Sequence, residues 1–151
     1  MKPFLSTATN RVDKKGRVSV PATFRSAVTD SALKGVICFP SFNDRSIEGF
    51  SLEGFGVVND MIDQLPPFSA QRDALAASIL GRSHELTFDQ EGRIKLPKSF
   101  SEHAGLDEEA MFIGLGSKFK IWSPSVYSLE EDRLATLARE SREGLGMGGG
   151  Q

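Results

Sequence analysis

Cysteine is nearly absent. Cys38 is the only one, so no disulfide forms within the chain. It sits in the apolar run Val36-Ile37-Cys38-Phe39, which reads as a buried strand with an inert thiol. Histidine is scarce too: His84 and His103 stand alone, with no Cys, His or carboxylate at metal-ligand spacing. No nucleophile elbow and no glycine-rich phosphate loop occurs. These absences argue against an enzyme, and no catalytic residue, cofactor, metal or small-molecule substrate is expected. No apolar stretch approaches the ~20 residues of a membrane span, so no membrane partner is expected. The start, Met-Lys-Pro-Phe-Leu-Ser-Thr, lacks the apolar run of a signal peptide, which points to the cytoplasm. An overall basic charge is also missing. The net charge is −2 and the pI about 5.7, so any polyanion must be bound by a local patch.

What is present is a repeat. Asp13-Lys14-Lys15-Gly16-Arg17-Val18-Ser19-Val20-Pro21 returns as Asp89-Gln90-Glu91-Gly92-Arg93-Ile94-Lys95-Leu96-Pro97, at an offset of 76 residues. The match runs on to Phe24 and Phe100. A fixed offset found twice marks one duplicated unit. Asp first and Gly fourth predict a tight turn, in which the Asp side chain accepts a backbone N–H. The alternation after each Gly predicts a strand with Val18 and Val20 inward and Arg17 and Ser19 outward. Pro then ends strand pairing and opens a short helix. Gly105 fits a C-terminal cap for the second of these helices.

The two copies differ in charge. Residues 11–25 hold Arg11, Lys14, Lys15, Arg17 and Arg25 against Asp13, a net +4. The equivalent residues 87–101 hold Arg93, Lys95 and Lys98 against Asp89 and Glu91, a net +1. The first copy therefore carries a concentrated positive field on an acidic chain, the footprint of an anion-binding face. The second, with Gln90-Glu91 at its tip, reads as scaffold.

Further along, strands are expected at residues 4–11, 36–39 and 46–50, and in the second copy at 110–115 and 119–122. Phe50 and Trp122, 72 residues apart, mark a second duplicated hairpin. Ser51 caps an expected helix with Leu52, Phe55, Val58, Ile62 and Leu65 on one side. An Ala-rich helix is expected over 69–80. Ser123-Pro124 opens a last helix, with Val126, Leu129, Leu134, Leu137 and Ala138 as its apolar side. The Gly-rich end reads as a flexible tail. One copy alone buries too little surface to fold, so two copies sharing one core about a pseudo-twofold axis are expected.

The Asp-x-x-Gly-Arg-x-x-x-Pro frame resembles the SpoVT/AbrB swapped-hairpin module. Two tandem copies in one chain of this length, each followed by a hairpin and a helix, resemble the MraZ family. The resemblance covers residues 4 to about 138. It implies an α+β fold, mainly β with short helices: a pseudo-twofold swapped-hairpin barrel with flanking helices. The division is repeat 1 at 4–53, facing DNA; a helical connection at 54–81; repeat 2 at 82–126, structural; and a helix and tail at 127–151. The implied function is sequence-specific binding of double-stranded DNA in the cytoplasm and nucleoid. The implied targets are G-rich direct repeats upstream of the division and cell-wall genes, bound by a ring homo-oligomer that usually represses. Lys14, Lys15 and Arg17 carry over as DNA-facing residues; Arg11 and Arg25 join them on charge alone. Arg17, just beyond the turn on a two-stranded ribbon, suits guanine, and the two lysines suit phosphates. The chain departs from the family pattern at Phe4-Leu5-Ser6-Thr7, which lacks the usual Gly, and in a longer insert at 45–54. The alternative is a protein-binding module, antitoxin-like or adaptor, on the same barrel.

Overall fold

The computed structural model describes residues 2–146. The strands are β1 (Thr7–Arg11), β2 (Arg17–Ser19), β3 (Gly35–Pro40), β4 (Ile47–Phe50), β5 (His84–Thr87), β6 (Arg93–Lys95), β7 (Glu109–Gly114) and β8 (Phe119–Trp122). The helices are α1 (Ala22–Ala27), α2 (Leu52–Asp63), α3 (Ala70–Ile79), α4 (Lys98–Ala104) and α5 (Pro124–Ser141).

The strands make a six-stranded antiparallel sheet in the order β1-β7-β8-β4-β3-β5, and a separate two-stranded ribbon, β2-β6. Exchanging the two copies turns β1 into β5, β3 into β7 and β4 into β8, and gives the same order read backwards. The sheet therefore has the expected pseudo-twofold symmetry, with its axis between β4 and β8. Each edge strand lies on the other copy: β1 on β7, and β5 on β3. The hydrogen-bonded ladder stays open at those edges. The ribbon takes one strand from each copy.

The Asp-Gly turns do not fold their flanking strands into hairpins of their own. Across the first turn only Val12 bridges Val18, and the ladder partner of β2 comes from the second copy. Strand alternation fixes which face a residue takes but not which strand lies beside it.

The shared core explains the swap. Val18, Val20, Phe24 and Val28 of the first copy pack with Ile94, Leu96, Phe100 and Ala104 of the second, over the sheet residues Val36, Cys38, Ile47, Phe112, Phe119 and Ile121. Phe4, Phe24 and Phe119 meet edge to face or tilted, with centroids 5.0–5.4 Å apart. Gly49 lies opposite Phe119 in the β4–β8 register, and a Cβ there would come within 2.2 Å of the ring. The glycine admits the aromatic that fills the centre of the core.

The other face of the sheet separates the halves. Phe39 and Phe50 of the first copy meet Ile62, Ile79, Phe55 and Val58 under the α2–α3 pair. Ser51 caps α2 as expected, accepting from the N–H of Gly54, and Ser69 caps α3, accepting from that of Arg72. Gly105 caps α4 with φ of 65°. The last helix departs from expectation. Of its apolar side only Val126 and Leu134 are half-buried; Leu129 is 81% exposed and Leu137 51%. Trp122 against Tyr127 anchors its first turn, and beyond Leu134 the helix is exposed.

Three smaller differences have local causes. β1 starts at Thr7, not at residue 4, because Ser6 has φ of 78° and breaks the strand; Phe4 instead bridges Gly116. Pro21 and Pro97 stand just before their helices as the capping residues. Residues 47–50 of the expected insert are β4, a central strand. The Gly-rich end expected as a flexible tail falls mostly on residues 147–151, outside the described residues.

Candidate nucleic-acid interface

The two turns are built by the same bonds. In the first, the N–H of Gly16 donates to the Asp13 carbonyl at 3.0 Å. The Asp13 carboxylate accepts from the N–H groups of Lys15 (2.9 Å) and Arg17 (2.8 Å) through Oδ1. Its Oδ2 accepts from Arg17 Nε at 2.7 Å. In the second turn Gly92 donates to Asp89 at 3.0 Å, and Asp89 accepts from Glu91 N, Arg93 N and Arg93 Nε, each at 2.9 Å. Gly16 and Gly92 have φ of 82° and 76°, a left-handed conformation that side chains disfavour. The backbone N–H of the following arginine holds each Asp below its ordinary pKa, against the opposing pull of desolvation, and the arginine side chain adds to this.

Each Asp thus serves two ends. It closes the turn, and it fixes the arginine through Nε with the η nitrogens pointing onward. Arg17 pairs with Asp13, as its position allowed, and its η nitrogens have no protein partner among the described residues. Arg93 differs: its Nη1 lies 3.6 Å from the Glu91 carboxylate.

The β2–β6 ribbon sets Arg17 opposite Lys95, Val18 opposite Ile94, and Ser19 opposite Arg93. Val18 and Ile94 are buried, so the other face carries Arg17, Arg93 and Lys95. Both turns staple the ribbon: Leu96 N–H donates to the Gly16 carbonyl at 2.9 Å, and Val20 N–H to that of Gly92 at 3.0 Å. Lys14 and Lys15 are exposed at the tip. Arg11, Lys14, Arg17 and Arg93 line one shallow depression; Lys14, Lys15, Lys95 and Lys98 line another on the far side of the tip. Of the five cations expected here, four line these two depressions. Arg25 does not. It donates from Nε to the Val20 carbonyl at 3.1 Å and lies against Gly92, where a Cβ would come within 2.8 Å of its guanidinium. It sits at the second turn, because α1 crosses to the other copy's side.

Lys95, Lys98 and Arg93 were missed as members of this patch. The outward positions of Arg93 and Lys95 are readable from the alternation, but their nearness to Arg17 depends on the strand swap, and Lys98 follows them at the start of α4. Elsewhere, burial raises the Cys38 thiol pKa far above its ordinary value. His103 Nε2 lies 3.0 Å from the Asp44 carbonyl. Among the described residues no group of three or more His, Cys, Asp or Glu is placed to hold a metal ion, and no helix is long and apolar enough to cross a membrane.

Two Asp-Gly-Arg turns on an interleaved α+β fold define a tandem swapped-hairpin protein. Residues 79–143 match the family model described as "MraZ protein, putative antitoxin-like". The chain is 48% identical to the "Transcriptional regulator MraZ" of Pelagibacter ubique over 91% of both chains. It is 45% identical to that of Parvibaculum lavamentivorans, over 85% of this chain and 80% of the relative. For the Rickettsia canadensis protein the identity is 40%, over 94% and 95%. The chain belongs to the MraZ family, whose named members here are transcriptional regulators, a non-enzymatic role.

Proposed function

We propose that the protein regulates transcription by binding double-stranded DNA sequence-specifically through the first Asp-Gly-Arg turn. The observation that carries this is Arg17, buttressed by Asp13 through Nε and lining one depression with Arg11 and Lys14, next to the exposed tip that Lys15 completes. A guanidinium fixed in this way is suited to the paired acceptors of guanine in a major groove. Lys14 and Lys15 act on phosphates as flexible point charges, with Arg11, Lys95 and Lys98 flanking them. Arg25 serves as a positioning residue that holds the second turn against the first copy. Repeat 1, residues 4–53, supplies the base reader, and repeat 2, residues 82–126, supplies the scaffold and additional phosphate contacts.

One chain offers roughly three to six such contacts, few for a specific affinity. A ring of chains on G-rich direct repeats adds them with avidity. The exposed Val57 and Met61 on α2 and Leu129 and Leu137 on α5 support such self-association. The targets would be the protein's own promoter and the division and cell-wall genes, read in the cytoplasm at the nucleoid. The same exposed α5 favours the second reading, a protein-binding, antitoxin-like or adaptor module. Footprinting on the DNA upstream of the protein's own gene separates the two. Regularly spaced protected repeats are expected; uniform or absent protection contradicts the proposal.

A further inference from the structure

The two turns act as internal controls for one another, and they differ at one seat beside the arginine. Backbone bonds, glycine conformation and the Asp–Arg Nε pair coincide. The residue before each glycine does not: Lys15 in the first turn, Glu91 in the second. Glu91 reaches back to Arg93 Nη1 at 3.6 Å, on the end of the guanidinium that Asp89 leaves open. Arg93 is correspondingly less exposed than Arg17, 25% against 36% of its side chain.

We propose that Glu91 is a specificity-determining residue: its carboxylate withholds Arg93 from DNA, so each chain presents a single base-reading arginine. This rests on the DNA-binding function proposed above. The pair is weak in water, since Glu91 is 71% exposed and such pairs contribute little on their own. Its effect arises on docking. For Arg93 to reach a base edge, Glu91 either leaves the guanidinium or is carried against the phosphates, where like charge repels it. Lys15 at the same seat is drawn to those phosphates. The ribbon places Arg93 beside Ser19, one step along from Arg17 opposite Lys95, so an unmasked Arg93 would be a second reader on the same face. One reader per chain keeps recognition tied to the repeat spacing of the assembly.

The test uses the full chain, with duplexes of its own upstream DNA and of the same DNA scrambled. Glu91→Gln should tighten binding to both duplexes, raise the salt slope by about 1 and narrow the ratio between them. Adding Arg93→Gln to Glu91→Gln should restore wild-type values. Arg93→Gln alone should leave binding unchanged; if it weakens binding as much alone as in the Glu91→Gln background, Glu91 acts by general repulsion and the proposal is overturned. In DNA-free protein, the Arg93 η protons should exchange with water more slowly than those of Arg17, and as fast after Glu91→Gln. Equal exchange in the wild type refutes the masking itself. A wild type that shows the exchange difference but binds both duplexes equally upholds the masking and contradicts the proposed function instead.

Discussion

The first and second turns share every backbone bond and diverge at the tip. Both arginines are clamped by an aspartate four residues earlier, at 2.7 Å and 2.9 Å. The first tip is Lys14-Lys15 and the second Gln90-Glu91. The two frames are closely similar, and the charge at the tip is what sets them apart in the field they present. The frame is therefore a folding device first. Its two copies form the β2–β6 ribbon that neither forms alone, and the proposed DNA binding rests on what each tip adds.

The largest effects should fall where the copies are alike. Phe24 and Phe100 are equivalent, and each is only 1% exposed. Phe24→Ala and Phe100→Ala should each cost about 3–5 kcal/mol of unfolding free energy, measured by urea titration. A cost confined to one of them would mean that the halves do not share their core equally.

Next come the lysines, where the copies should differ in degree. Lys14→Ala and Lys15→Ala should weaken binding to all duplexes and lower the salt slope by about 1 each. Lys95→Ala and Lys98→Ala should do the same if the ribbon's exposed face docks. An unchanged slope for the second pair would restrict the interface to the first copy.

The smallest effect is the pH dependence of the turns. Asp13 and Asp89 both have lowered pKa values in the folded chain. Their contribution to stability is present in full above the ordinary carboxylate pKa near ~4 and is lost as pH falls through the lowered folded values. Denaturant midpoints should therefore drop in acid, and less so in Asp13→Asn with Asp89→Asn. An identical acid response in that double variant would remove the turns as its source.

Much of this was legible in the chain. The 76-residue offset located both turns, and the alternation put Val18, Val20, Ile94 and Leu96 inward, where all four are buried. Ser51 and Gly105 marked helix ends by local hydrogen-bond logic. Long-range partnership was not legible. Nothing local to β2 names β6, and so the nearness of Lys95 to Arg17 and the crossing of Arg25 to Gly92 were hidden. Nor does the helical period of Leu129 and Leu137 reveal that α5 leaves the sheet with that side uncovered. Periodicity reports an apolar face, not what covers it.

The central claim is that the first turn reads DNA and the second supports it. The direct measurement is the ratio of affinities for the protein's own upstream DNA and its scrambled counterpart, in Arg17→Ala and in Arg93→Ala, with unfolding midpoints recorded alongside. Arg17→Ala should collapse the ratio by the ~1–3 kcal/mol of a bidentate base contact while leaving the fold intact. Arg93→Ala should keep the ratio and lower the unfolding midpoint. Equal loss of the ratio in both variants, at normal stability, would contradict the claim.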